Sequence, residues 1–113
     1  MDKGLIVKKE WLDRILDKGK VWEMRTTPTK IRGVVGLIES GTGLIVGEVE
    51  IVDSISTPIQ KTTKHLDKHH VYDLQLLDKW KFAWVLKNAK RYDKPIPYTH
   101  PKGAVIWVNL KKK

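Results

Sequence analysis

Apolar and polar positions fall in short blocks along this chain, and the block boundaries predict its elements. Gly4-Leu5-Ile6-Val7 is a brief apolar run that reads as a first strand. From Lys9 to Lys18, Trp11, Leu12, Ile15 and Leu16 fall at i, i+1, i+4 and i+5, one apolar stripe of a helix. Glu10 lies in its first turn and Lys18 in its last, each complementing the helix dipole, and Gly19 follows as the left-handed terminator. Lys20–Arg25 reads as a second strand, broken by Thr26-Thr27-Pro28-Thr29. Gly33–Glu39 and Gly43–Val52 read as two more, joined by the turn Ser40-Gly41-Thr42-Gly43, in the rhythm of an antiparallel hairpin with one wet face.

The second half is less regular. Lys61 to Tyr72 is polar, a short helix or an ordered loop, and Tyr72–Leu77 fits helix and strand alike. Lys81–Lys87 is a strong strand that continues toward Ala89 and Tyr92, with an extended, proline-stiffened Asp93–Pro97 after it. Ala104–Leu110 reads as the last strand. About six short strands with one or two helices predict a mainly β, α+β fold, a small closed or partly closed barrel in which closure removes exposed edges.

Composition narrows the class. One domain spanning 1–113 is expected for 113 residues with 41% hydrophobic and 31% charged positions. The five Trp (Trp11, Trp22, Trp80, Trp84, Trp107) are spread so that both chain ends can close on one core, with Trp80 and Trp84 expected inside it. With no Cys there is no disulfide scaffold, thiolate zinc site, iron–sulfur cluster or Cys nucleophile. No apolar run reaches the roughly 20 residues that span a bilayer, and charge returns after Leu5-Ile6-Val7, too soon for a signal-peptide core, so a cytoplasmic protein without membrane contact is expected.

Charge suggests a partner. Residues 1–60 hold nine Lys/Arg and nine Asp/Glu, whereas residues 61–113 hold thirteen Lys/Arg and four Asp, so the net +9 lies wholly in the second half. Such a surface attracts a polyanion such as RNA through phosphate neutralisation. It equally suits a solubilising lysine-rich surface or an acidic protein partner, since Lys outnumbers Arg eighteen to four.

The chemistry concentrates just after the helix. Gly19-Lys20, then Glu23-Met24-Arg25, then Arg32-Gly33 make the point at which the chain resembles the ASCH family, a branch of the PUA-like β-barrel superfamily. The Gly47-Glu48-Val49 strand, the Phe82–Leu86 strand, and Pro97-Tyr98 before Gly103-Ala104-Val105 extend the resemblance over nearly the whole chain, in order and spacing. On a regular strand Glu23 and Arg25 share a face and Trp22 and Met24 the other, so the latter are the core pair and the former line a cleft. Lys20 has the parity of Trp22 and joins Glu23 only if the chain bends just after Gly19; that convergence is implied by the resemblance, not by the spacing.

A cleft with Lys, Arg and Glu suits a phosphate or nucleobase, with Arg25 as a bidentate donor and Glu23 accepting from an exocyclic amine. It also suits hydrolysis, with Lys20 and Glu23 catalytic and Lys20 as base. The resemblance implies both: ASCH domains are associated with RNA-linked processes, and similar bacterial members include N4-acetylcytidine amidohydrolases and a ribonuclease. The catalytic Lys of the amidohydrolases matches Lys20, but Glu23 stands where they have a nucleophilic Thr, and their third residue, a Glu, aligns near His69. Thr26, Arg32, His69, Tyr98 and His100 complete the expected ligand-contacting set, with His69 or Tyr72 at the cleft mouth and Tyr98 on a stiffened loop where an aromatic can stack on a base. His65 and His69 would share a face if helical and could bind Zn²⁺ or Mn²⁺, but no H-E-x-x-H motif is present and lysines surround them, so neither metal nor cofactor is expected. The favoured expectation is an RNA- or nucleotide-binding domain, with a small hydrolase or a regulatory interaction module as alternatives.

Overall fold

The computed structural model describes residues 1–57 and 63–110. Its strands are β1 (Lys3–Val7), β2 (Trp22–Arg25), β3 (Gly33–Glu39), β4 (Leu44–Ser56), β5 (Phe82–Pro97) and β6 (Trp107–Asn109), with helices α1 (Lys9–Asp17) and α2 (Leu66–His69). Two 3-10 turns, Thr63–His65 and Leu74–Asp78, flank α2 and precede β5. The six strands make one mixed sheet in the order β2-β5-β4-β3-β1-β6, in which β1 and β3 run parallel and the other neighbours antiparallel.

The sheet curls into a half-barrel of the expected PUA-like kind, and a side chain bridges the gap. Arg25 on edge strand β2 donates from its guanidinium to the backbone oxygen of Ile6 in β1, 3.2 Å away. Inside the curve, Leu5, Val7, Leu12, Ile15, Val35, Leu37, Val49, Ile51, Trp84 and Leu86 form the main core. Trp107 stacks on Trp84 at 5.7 Å and 11°, so the end of the chain closes on that core. A smaller cluster holds Trp22, Met24, Val71, Leu77 and Ala83, the expected core pair of β2 among them. Trp84 is fully inside; Trp80 is half-buried at the margin of the smaller cluster.

α1 runs as its stripe predicts, with Leu12 and Ile15 buried. Gly19 takes φ +78°, and the N–H groups of Lys18 and Lys20 both donate to the Arg14 oxygen. Where α1 crosses the β4–β5 ribbon there is no room for a side chain: a Cβ on Gly47 would lie 2.5 Å from the Lys90 oxygen and 2.9 Å from Leu16.

Two strands differ from expectation. β5 continues through Asp93–Pro97 across a bulge, Gly47 pairing with Arg91 and Ile45 with Ile96; β2 pairs only with Phe82–Val85, so beyond that β5 has one free edge, where a proline's missing N–H costs nothing. The last strand is only Trp107–Asn109 rather than Ala104–Leu110: its register with β1 covers Lys3–Leu5, and past it single backbone bonds remain, from the Ile6 N–H to the Ile106 oxygen and from the Leu110 N–H to the Asp2 oxygen. Of the polar stretch after β4, residues 58–62 lie outside the described residues. The ambiguous Tyr72–Leu77 stretch becomes a 3-10 turn capped by Asp73, whose carboxylate accepts from the Gln75 N–H at 3.2 Å.

Candidate functional site

Lys20 sits before β2, not in it. After the left-handed turn at Gly19, the Val21 N–H pairs with the Lys68 oxygen, and the strand begins only at Trp22. Strand parity therefore does not apply to Lys20, and its side chain turns inward to 2% exposure. Its ammonium donates to the backbone oxygens of Trp22 and His69 and stands 3.8 Å from Glu23 Oε1. Nζ also lies 5.3 Å from the centre of the Trp11 ring.

Glu23, 5% exposed, is held from the other side. Arg25 donates to its Oε2 from Nε at 3.0 Å, and its terminal nitrogen stands 2.8 Å from the same oxygen. The same guanidinium packs 5.3 Å from the Trp84 ring. Oε2 is thus committed to Arg25, while Oε1 faces Lys20 at a distance that leaves it able to accept from a third group.

These three line a cavity of about 660 Å³. β1, α1 and the Lys8 between them contribute Ile6, Lys8, Glu10, Trp11 and Arg14 to it; the segment after α2 contributes His70, Val71, Tyr72, Asp73, Leu76, Lys79 and Trp80. Trp11 and Trp80 meet edge to face at 5.7 Å, and Arg14 lies 5.2 Å over the ring of Tyr72, which is 62% exposed. The cavity joins buried charge to aromatic surface, with five Lys/Arg against three Asp/Glu.

Burial decides the electrostatics. Desolvation pushes the Lys20 ammonium down to about 8; Glu23 opposes this, and Arg14 and Arg25 add to it. His70 is held below the ordinary imidazole range by burial, with Lys20 and Arg14 reinforcing the shift and Asp67 opposing it.

The other expected residues lie elsewhere. His69 is fully buried and is not at the cavity mouth; its Nδ1 accepts from the Val71 N–H at 2.8 Å, and its backbone oxygen, not its ring, serves the site by holding Lys20. Thr26 is exposed outside the cavity. Arg32 is spent on the backbone oxygens of Thr29 and Ile31, both 2.9 Å away, and stands 3.8 Å from Asp53. Tyr98 and His100 bond one another at 2.7 Å and line a separate hollow of about 400 Å³, which meets the main cavity at Ile6, Ser40 and Val105. His65 packs on Trp22 at 5.0 Å, and no group of three or more His, Cys, Asp or Glu that could hold a metal occurs among the described residues. Nor is any helix among them long and apolar enough to cross a membrane.

The sequence did not single out Trp11, Arg14 or His70 for this cavity. Trp11 and Arg14 are i, i+3 neighbours on the flank of the apolar stripe, a spacing that signals a shared face but not what the face meets. His70 carries a sharper signal only in the structure, a left-handed φ of +58° at the end of α2.

Several second-half cations among the described residues are already engaged at separate places. Lys87 and Lys90 stand opposite Glu50 and Glu48 in the β4–β5 register, Arg91 bonds Asp13 and Asp17, and Lys79 reaches the cavity.

The model of the ASCH domain matches residues 5–96. No curated protein matches the chain. Among solved structures it is similar to ASCH from Zymomonas mobilis, with a TM-score of 0.72 and 12% identity over 97% of this chain and 87% of that one. Two single-residue mutants of that protein, a Ser-to-Ala and a Tyr-to-Phe form, superpose as well, with TM-scores of 0.72 and 0.71 at the same 12% identity, covering 97% of this chain and 88% and 90% of theirs. At that identity the likeness speaks for the fold, and the match along the sequence speaks for the lineage: this chain belongs to the ASCH domain family.

Proposed function

We propose that this protein binds RNA, or a nucleotide from it, in the cavity lined by Lys20, Glu23 and Arg25. The observation that carries the reading is one hollow of about 660 Å³ holding a buried Lys20–Glu23–Arg25 cluster beside Trp11, Trp80 and the Tyr72 rim. A nucleotide needs cations for its phosphate, an acceptor for a base amine and an aromatic face for stacking, and all three are present. Arg25 and Arg14 supply planar donors, Glu23 Oε1 accepts, and Lys20 supplies charge that rises or falls with the ligand's own. The family supports the same assignment.

The test is a titration of wild type with short single-stranded RNA and with GMP, followed by tryptophan fluorescence at several salt concentrations. Binding should weaken as salt rises, and Lys20→Met or Arg25→Ala should lower affinity at least tenfold. Affinity flat with salt, or unchanged in both variants, overturns the reading. If instead only the lysines of 61–113 matter, the basic surface serves an acidic partner and the cavity is incidental.

A hydrolase reading is favoured by the burial of the Lys20 amine 3.8 Å from Glu23, which brings it down to about 8, where a lysine can act as a base near neutral pH. Glu23 would then share the catalytic role. Turnover of acetylated cytidine or single-stranded RNA that vanishes in Lys20→Ala supports it; turnover independent of Lys20, or none, rejects it.

A further inference from the structure

His70 offers the cavity something that neither the charged cluster nor the aromatic rim provides. It is 8% exposed, borders the cavity, and closes α2 with a left-handed backbone that a non-glycine residue rarely adopts. Its Nε2 lies 3.0 Å from the Asp67 backbone oxygen. A carbonyl only accepts, so Nε2 carries the hydrogen, and the neutral ring leaves a lone pair on Nδ1. That Nδ1 is buried and has no hydrogen-bond partner among the described residues. A buried acceptor left unpaired is costly, and one on a side chain that borders a ligand-sized hollow calls for an explanation. Around it stand Lys20, Arg14 and Asp67, the first two of which oppose a positive charge on the ring.

We infer that His70 is a specificity-determining residue of the cavity, its Nδ1 accepting a hydrogen from an exocyclic amine of the bound nucleobase. The inference rests on the nucleotide-binding reading and deepens it. With Glu23 Oε1, the cavity wall then presents two acceptors to the base, while its cations take the phosphate. A base edge rich in N–H donors satisfies both acceptors. One that puts a carbonyl in place of the amine sets oxygen lone pairs against nitrogen or carboxylate lone pairs, and such a mismatch discriminates more than a missing apolar contact does.

Calorimetric titration of the full chain with GMP, IMP, CMP, UMP and inorganic phosphate tests this. Wild type should bind GMP about tenfold more tightly than IMP, and CMP about tenfold more tightly than UMP, the scale of one well-made hydrogen bond to a buried group. His70→Gly accepts the left-handed backbone freely and removes the ring; it should bring each pair close to parity and leave phosphate affinity unchanged. His70→Asn also tolerates that backbone and keeps an acceptor near the Nδ1 position, so it should restore most of the preference, which a packing role would not. A second readout needs no variant: the His70 Nδ1 nitrogen resonance of wild type should shift on adding GMP and not on adding IMP. Equal binding of the paired nucleotides by wild type, or a preference that survives in His70→Gly, overturns the inference and leaves the cavity reading intact. No binding of any nucleotide by wild type overturns that reading, and this inference with it.

Discussion

Helix α1 stands between two ionic clusters, and they behave as opposites. On its outer side Arg91 of β5 donates to Asp17 from Nε at 3.0 Å and from its terminal nitrogen at 2.6 Å, and to Asp13 at 3.0 Å. On its inner side Glu23 takes Arg25 at 2.8 Å and meets Lys20 at 3.8 Å. The outer cluster has the shorter contacts and the more complete pairing, yet its members are open to water, which screens them and does the same work when they part. The inner cluster is loosely paired and nearly dry. The outer one raises the Arg91 guanidinium above its ordinary value and lowers Asp17, each settling further into its usual charge state. The inner one drives Lys20 toward neutrality. Pairing distance therefore does not mark out a candidate site; desolvation against a cavity does.

The largest expected effect breaks the inner cluster. Glu23→Ala strands Lys20 and Arg25 without their carboxylate and should cost about 3 kcal/mol or more in denaturant unfolding at pH 7. A loss below about 1 kcal/mol would put the inner cluster on the same footing as the outer one.

Next in size is a pH effect with a defined sign. The Lys20 amine titrates near 8 when folded and near 10.5 when unfolded, so between those values the unfolded chain holds more protons. Stability should then rise with pH across that window, by up to about 3 kcal/mol relative to Lys20→Met, which lacks the group. Tyr92, pushed up to about 12 by burial and by the Glu48 carboxylate 2.9 Å away, works the other way above pH 10, so the comparison with Lys20→Met isolates the lysine. Parallel pH curves for the two proteins would remove the desolvated lysine from the account.

Gly47→Ala addresses what docks α1 at the outer cluster. Its Cβ would press on the Lys90 oxygen and on Leu16, and a loss of about 1–3 kcal/mol in thermal or denaturant unfolding is expected. Arg91→Ala should do least, about 1 kcal/mol or less and smaller still in high salt. Were Arg91→Ala to cost more than Gly47→Ala, the ion pairs and not the close backbone approach would hold the helix.

Local rules made much of this legible in the sequence. The stripe Trp11, Leu12, Ile15, Leu16 and the terminator Gly19 specify α1, and the alternation around Ser40–Gly43 specifies the β3–β4 hairpin, because each signal lies within the element it predicts. Sheet order lies outside that reach, which is why the run of β5 through Pro95 and the shortness of β6 needed their neighbours to explain them. The Lys20, Glu23 and Arg25 motif was legible as a set of residues, but strand parity put Lys20 on the opposite face from the other two. The bend at Gly19 and the late start of β2 at Trp22 remove the objection. Arg14 and His70 reach the cavity from other elements, and no spacing along the chain encodes that.

The central claim is that the buried cluster receives an anionic guest, and the Lys20 ammonium reports on it directly. Its titration, followed by NMR on selectively labelled protein without and with saturating GMP, should move upward from about 8 as phosphate arrives in the cavity. A bound nucleotide that leaves the Lys20 titration where it was would contradict the account.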